Sequence, residues 1–280
     1  MLTDQQIRDW LNEDIQSGDI TSQALIKDDK KTKAEFILKE EGVLCGIESI
    51  EKIFNVLDEK ASIVLHTEDS ILYEKGTKIA TVEGNYKALL QAERTSLNLL
   101  QHLSGIATGT HKYVNQVKHT SAKIYDTRKT TPGFRELEKW AVRCGGGCNH
   151  RMGLYDQFLI KENHLQYYIK ESNRFKAAIE DARQYKMNTK IIIEVENLEE
   201  FAQALQGEPD VILLDNMPPN DLRKAVALRD DNRAQTQCEA SGGINIETIT
   251  AVAESGVDRI SVGAITHSAK NLDISLLIEN

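Results

Sequence analysis

No run of apolar residues in the 280-residue sequence approaches the ~18 that suggest a membrane span. Nor is a secretory leader expected, since the opening shows no basic and apolar regions of a signal. The opening MLTDQQIRDWLNEDIQ is acidic, and its apolar residues Ile7, Trp10, Leu11 and Ile15 recur at the spacing of an amphipathic helix. A cytoplasmic protein is therefore expected. Positive charge is not in excess: the formal net charge is −9, which argues against a general binder of nucleic acid or anionic membranes. The four cysteines (Cys45, Cys144, Cys148, Cys238) are too few for a disulfide framework in a chain this long. Gly-x-Gly-x-x-Gly and the Walker phosphate loop are absent. No Ser/His/Asp or Cys/His constellation points to a covalent nucleophile.

What is present divides into two halves. Residues 1 to about 105 mix helices and strands without a repeat, with strands expected at 33–39, 61–67 and 77–82. Leu89, Leu90, Leu97, Leu100 and Leu103 give the segment 88–103 a broad apolar helical face. From Lys123 the pattern becomes strand, loop, helix, and repeats. Strands are expected at 123–126, 157–161, 190–195, 210–214, 237–240 and 259–262, and helices at 135–142, 163–186, 198–206, 221–228 and 246–254. Continuous apolar runs such as IIIEV and VILLD fit strands buried on both faces of a parallel sheet. Six such units imply an α/β barrel or a doubly wound sheet. Chemically capable residues cluster at or just beyond the strand C-termini, the active-site face of a barrel.

Along that face, residues 123–164 carry eight Lys or Arg against five Asp or Glu, a local surplus of cations in an acidic chain. Arg135, Lys139 and Arg143 fall at helical spacing and are expected on a solvated face. Arg128, Lys129, His150, Arg151 and Lys161 lie outside that pattern, and if they converge they make a site for a multiply charged anion. In CGGGCNHR (144–151) the glycines let the chain turn sharply and present His150 and Arg151. The C-x3-C spacing is not that of a zinc ribbon, so Cys144 reads as a small buried residue closing a helix and Cys148 as a loop residue. Glu194 and Asp215 end successive strands, and two such carboxylates suit Mg²⁺ bound together with substrate phosphates. Glu196 competes for that role if its strand persists. Ser241-Gly242-Gly243 before the helix expected from 246, and Gly263 after the last strand, read as phosphate cradles, with His267 as a further donor.

The stretch TRKTTPGFRELEKWAVRCGGGCNHRMGLYDQFLIKENH (127–164) resembles the signature of the quinolinate phosphoribosyltransferase family. So do GDIT (18–21), ERTSLNLLQHLSGIAT (93–108), EVEN (194–197), LLDNM (213–217), EASGGI (239–244) and ISVGAITHSA (260–269). The resemblance implies phosphoribosyl transfer from 5-phosphoribosyl-1-diphosphate (PRPP) to quinolinate with decarboxylation and with Mg²⁺ as cofactor, on the de novo route to NAD. It implies an N-terminal open-faced α/β sandwich (1–105, joined by the C-terminal tail, about 268–280) and an incomplete seven-stranded α/β barrel (106–267). With six strand signals in hand, the seventh is short or lies among residues 105–122. The implied quinolinate ligands are Arg128, Lys129, His150, Arg151, Lys161 and Arg94, the last reaching over from a neighbouring subunit of a dimer or dimer-based hexamer with shared sites. Ser241, Gly242, Gly243, Gly263 and His267 match the 5′-phosphate region. Glu194 and Asp215 match the carboxylates around PRPP and Mg²⁺, directly or indirectly, and Lys129, Glu194 and Asp215 are the candidate catalytic residues. Rival readings are a phosphoribosyltransferase acting on nicotinate and a nucleotide-sensing regulator on the same fold.

Overall fold

A computed structural model describes residues 2–28 and 30–279. The chain divides into two compact units: Met1–His111 with Glu136–Gly146 and Ala269–Asn280, and Lys112–Arg135 with Gly147–Ser268. Set beside the expected barrel domain, 106–267, the second unit leaves 106–111 and Glu136–Gly146 to the first and includes Ser268.

In the first unit four antiparallel strands lie in the order Ile274–Ile278, Lys31–Leu38, Lys78–Asn85, Ser62–Leu65. Alternation in KTKAEFIL puts Ala34, Phe36 and Leu38 on one fully buried face. Phe36 meets Phe54 of helix Glu48–Leu57 edge to face, with ring centroids 6.1 Å apart. The C-terminal strand enters at the sheet edge, from Ala34↔Ile278 to Leu38↔Ile274. Helix Asp4–Ile15 starts at a Thr3/Gln6 capping box and buries Ile7 and Leu11. The leucine-faced helix is longer than its sequence pattern, running Tyr86–Val117.

The second unit holds six parallel strands in the order Lys123–Tyr125, Arg259–Ser261, Gln237–Ser241, Val211–Asp215, Ile191–Val195, Phe158–Ile160. All six lie within a residue or two of their expected positions. The seventh is reduced to one residue. Cys148 bridges to Tyr125 in parallel, its N–H donating to Ile124 O (2.7 Å) and its carbonyl accepting from Asp126 N (3.1 Å). In the other expected place for it, residues 105–122, the chain is helical as far as Val117. No pairing joins Cys148 to Phe158 among the described residues, so the ring is an open α/β barrel. Ile192, Val211, Leu213 and Leu159 fill part of its interior.

Three helical expectations are corrected. The segment 163–186 is broken into Glu162–Leu165, a 3₁₀ turn Gln166–Tyr168 and Arg174–Tyr185, because Asn173 caps the last by accepting from Lys176 N (3.0 Å). The segment 246–254 shortens to Ile249–Ala253, so the Gly242–Gly243 turn does not run directly into a helix. The Arg135–Cys144 helix has no simple solvated face: Lys139 is fully buried, and Arg135 donates to Thr130 Oγ1 and Met152 O (both 3.0 Å). Leu137, Glu138, Ala141, Val142 and Cys144 are also buried, which encloses the helix on more than one side and leaves Arg143 exposed.

Candidate active site

The two cysteines of CGGGC part company. Cys144 ends its helix as a buried thiol of the first unit, and Cys148 enters the barrel sheet. Between them the chain turns at Gly146 (φ +85). Gly145 has no room for a side chain, since a Cβ there would lie 2.3 Å from Ala107 O. The turn is then locked from the barrel side. Asp126, fully buried, accepts from Asn149 Nδ2 (2.6 Å) and His150 N (2.8 Å). Asp156 accepts from Met152 N (2.7 Å) and Gly153 N (3.1 Å). Burial alone would raise the Asp156 carboxyl, but those two N–H groups and the nearby Arg151 charge hold it below the ordinary range.

This locked turn delivers Arg151 to a cavity of about 890 Å³ at the C-terminal ends of the barrel strands. That volume falls within the roughly 300–1,000 Å³ usual for ligand sites. Arg128, Lys129, His150, Arg151 and Lys161 all line it, as do Glu194, Asp215, Ser241, Gly242, Gly243, Gly263 and His267. A hollow of about 950 Å³ lies at the opposite, N-terminal ends of the strands, beside Lys190, Asp210 and Gln237. Of the two carboxylates that line it, Glu208 and Asp210, the latter is already engaged by Arg183 Nη2 and Ile191 N at 2.8 Å each. The smaller cavity therefore carries the chemistry.

The cations are not equivalent. Lys161, half-exposed, is paired with Glu194 across adjacent strands. His150 Nδ1 accepts from Arg151 N (2.8 Å), which assigns the ring proton to Nε2, 3.4 Å from Glu239 Oε1. His150 is therefore a buried buttress, oriented by the Arg151 backbone and seated against Glu239. Arg128 and Arg151 differ from both: each has a buried Nε with no hydrogen-bond partner. Burial, and then repulsion from Arg128, lower the Arg151 pKa, opposed by Asp156. Two guanidinium groups, each with a buried and unused Nε donor, make a receptor for an anion that supplies more than one acceptor.

The opposite wall is built from strand ends in register. Ser241 pairs with Asp215, and Asn216 N donates to Ser241 O (2.8 Å). Asn216 takes a left-handed φ of 55° and donates through Nδ2 to Asp215 Oδ2 (2.7 Å). Gly242 (φ +96) must be glycine, because a Cβ there would lie 2.2 Å from Asn216 Oδ1. The Glu194 strand ends at Val195, so Glu196 is exposed and lies outside the cavity lining. Below the cavity, the fully buried Glu239 is a hub. It accepts from Ser261 Oγ and lies 2.8 Å from Arg259 Nε, whose guanidinium stacks over Tyr125 at 4.0 Å. Burial opposes ionisation of Glu239, but His150, Arg259 and Ser261 together keep its pKa low.

Family profiles described as the N- and C-terminal domains of quinolinate phosphoribosyl transferase match residues 19–104 and 106–277. The chain belongs to the quinolinate phosphoribosyltransferase family. It is 43% identical over 276 residues to a probable nicotinate-nucleotide pyrophosphorylase [carboxylating] of Bacillus subtilis, covering 97% of this chain and 93% of that one. A counterpart in Mycobacterium leprae is 40% identical over 275 residues, 96% and 95% of the two chains. The solved nicotinate-nucleotide pyrophosphorylase of Francisella tularensis superposes with a TM-score of 0.92 at 39% identity, covering 100% and 98%.

In this quinolinate phosphoribosyltransferase, one expected site residue stands apart. Arg94 is exposed on helix Tyr86–Val117 in the first unit and is not among the residues lining the cavity. Sequence reading missed Glu239, Asp126, Asn216 and Thr266. Thr266 Oγ1 donates to Lys129 O (2.8 Å) and so pins the Arg128–Lys129 turn to the last barrel segment. For Glu239 a signal existed: in QCEAS it occupies an inward position of a strand whose next inward residue is Ser241.

Proposed function

We propose that this chain transfers the phosphoribosyl group of PRPP to quinolinate with loss of CO2, giving nicotinate mononucleotide and diphosphate. The observation that carries the reading is the pair of buried, unpartnered guanidinium nitrogens of Arg128 and Arg151 on one wall of the cavity. Quinolinate bears two carboxylates on adjacent ring carbons, and desolvating both requires paired cations. Arg128 and Arg151 bind them, with Lys129 and Lys161 completing the charge and His150, seated on Glu239, fixing the floor.

Held in this way, the pyridine nitrogen faces C1 of PRPP, a proximity effect. Its lone pair forms the N–C1 bond as the C1–O bond to diphosphate breaks, through a state with oxocarbenium character at C1. The backbone around Ser241, Gly242 and Gly243, with Gly263 and His267, takes the 5′-phosphate. Glu194 and Asp215 orient the ribose hydroxyls. Among the described residues no cluster of three metal-binding groups lies in the cavity. Two carboxylates do suit Mg²⁺ that is held mainly by substrate phosphates. Glu194 and Asp215 would then hold it directly or through water, and the cation would neutralise charge on the departing diphosphate.

Ribosylation leaves the ring nitrogen cationic. The bond from C2 to its carboxylate then breaks, CO2 leaves, and the electron pair remains on C2 beside N⁺. A proton from Lys129, Lys161 or solvent completes the product, and no general base is needed.

Arg94 lies outside its own chain's cavity lining, and we assign it to the site of a neighbouring subunit in a dimer or dimer-based hexamer. A cytoplasmic location fits four free cysteines. Diphosphate and CO2 release in stoichiometric amounts from quinolinate, PRPP and Mg²⁺ is the expected result. Equal turnover of nicotinate without CO2, or binding of both substrates without diphosphate release, overturns the reading.

A further inference from the structure

Outside the cavity, among the described residues, a group of three metal-capable side chains converges within the first unit. Cys45 follows the short strand Gly42–Val43, Asp69 sits in the turn before strand Leu72–Tyr73, and Cys144 ends helix Arg135–Cys144. The two sulfur atoms and a carboxylate oxygen of Asp69 lie within 4.8 Å of one another. Cys45 is fully buried and Cys144 nearly so, with 7% exposed.

The backbone holds each group in place. Pairing of the two short strands continues through Leu44 N to Ile71 O (3.2 Å) and Ser70 N to Leu44 O (2.9 Å). Ser70 takes a left-handed φ of 69°, so the chain reverses at Asp69. Both Asp69 oxygens accept a backbone N–H, from Gly46 and Ile47, each at 3.1 Å. Those bonds fix the carboxylate and leave each oxygen a lone pair. Cys45 N donates to the buried Ser104 Oγ (3.0 Å). Outer hydrogen bonds of this kind orient the ligands of metal sites.

We propose that Cys45, Asp69 and Cys144 form a three-ligand site for a thiophilic divalent cation of the zinc class, separate from the substrate cavity. Ligands around tetrahedral zinc, at ~2.0–2.3 Å from the metal, stand roughly 3.6–3.8 Å apart, so the observed grouping needs a contraction of about an ångström at most. Two thiolates select zinc over magnesium. Asp69 is half-buried and Ser70 exposed, which gives the ion a route from solvent and leaves a fourth position for water or the Ser70 hydroxyl. The three ligands come from segments 24 and 75 residues apart along the chain. A bound ion therefore staples the end of helix Arg135–Cys144, where CGGGC begins, to the Cys45 and Asp69 segments of the same unit.

The test uses reduced, metal-free full-length protein titrated with Co²⁺ and then with Zn²⁺. One equivalent of Co²⁺ should produce a thiolate-to-cobalt charge-transfer band in the near ultraviolet, and Zn²⁺ should abolish it. The band should vanish in Cys144→Ser and Cys45→Ala, weaken at least tenfold in apparent affinity in Asp69→Asn, and persist in Cys148→Ser. Zinc should also protect Cys45 and Cys144 from alkylation. Should Cys45→Ala fail to fold, Cys144→Ser and Asp69→Asn decide, with circular dichroism confirming their folds. No band in the reduced wild type, or a band that survives Cys144→Ser, overturns the proposal. A Cys45–Cys144 disulfide forming in air while the reduced protein gives no band identifies a dithiol pair and overturns it as well.

Discussion

His150 Nε2 lies 3.4 Å from Oε1 of Glu239, and the two side chains are 7% and 0% exposed. Because the same carboxylate also meets Arg259 and Ser261, it ties the floor of the cavity to two barrel strands. Glu239→Gln keeps the shape and removes the charge. Breaking a buried pair from one side costs about 3–5 kcal/mol of stability, and the quinolinate KM should rise as His150 loosens. The pH dependence has a definite sign. The folded pKa of Glu239 is depressed, so its contribution is present above the unfolded value of ~4.3 and is lost as pH falls through the folded value. Urea unfolding of wild type and variant should therefore show a constant gap from pH 8 to about 5 and a shrinking gap in stronger acid. A gap that widens in acid contradicts this assignment.

Arg151 is placed for binding at the expense of stability. It is buried, its Nε lacks a partner, and Arg128 repels it. Arg151→Met should leave the melting temperature of the unliganded protein unchanged or raised. The quinolinate KM should rise at least ~30-fold, since losing one partner of a desolvated charge pair costs about 2–5 kcal/mol. Calorimetry of the empty protein beside initial rates checks both halves. A large fall in melting temperature with unchanged KM would give Arg151 a structural role instead.

Gly242→Ala faces both a left-handed backbone and Asn216 at 2.2 Å. Strain of about 1–3 kcal/mol should appear as a raised PRPP KM, with the quinolinate KM little changed. Adding Asn216→Ala removes the side-chain clash but neither the close approach of Asn216 N, at 2.8 Å, nor the unfavourable φ, so it should recover part of the loss. Full recovery would show that φ at Gly242 is immaterial.

Much of this was legible along the chain. Strands such as IIIEV and VILLD announce themselves because a strand covered on both faces is largely apolar, and functional residues follow at their C-terminal ends. Cys148 could not announce a strand, since a single bridging residue has no periodicity. The break before Asn173 was hidden because Tyr167 and Ile169 continue an apolar rhythm although both are exposed, at 87% and 65%. Lys139 misled in the opposite sense, as a charge at helical spacing that proved to be buried. Asp126 and Glu239 read as ordinary acids because their partners lie 20 or more residues away. Cys45 and Cys144 meet only through the tertiary fold.

Subunit sharing has its own test. Arg94→Ala and Arg128→Ala should each be nearly inactive alone. Mixed oligomers reassembled from the two should regain a substantial fraction of wild-type activity, since some sites then combine a wild-type Arg128 with a wild-type Arg94. Mixtures as inactive as their parents would place Arg94 outside a shared site.

The account turns on two arginines awaiting a diacid, and titration calorimetry with quinolinate and nicotinate measures that directly. The wild type should bind quinolinate at least tenfold more tightly than nicotinate, and the preference should collapse in Arg128→Ala and Arg151→Ala. Equal affinity of the wild type for the two acids, or a preference that survives both substitutions, would contradict it.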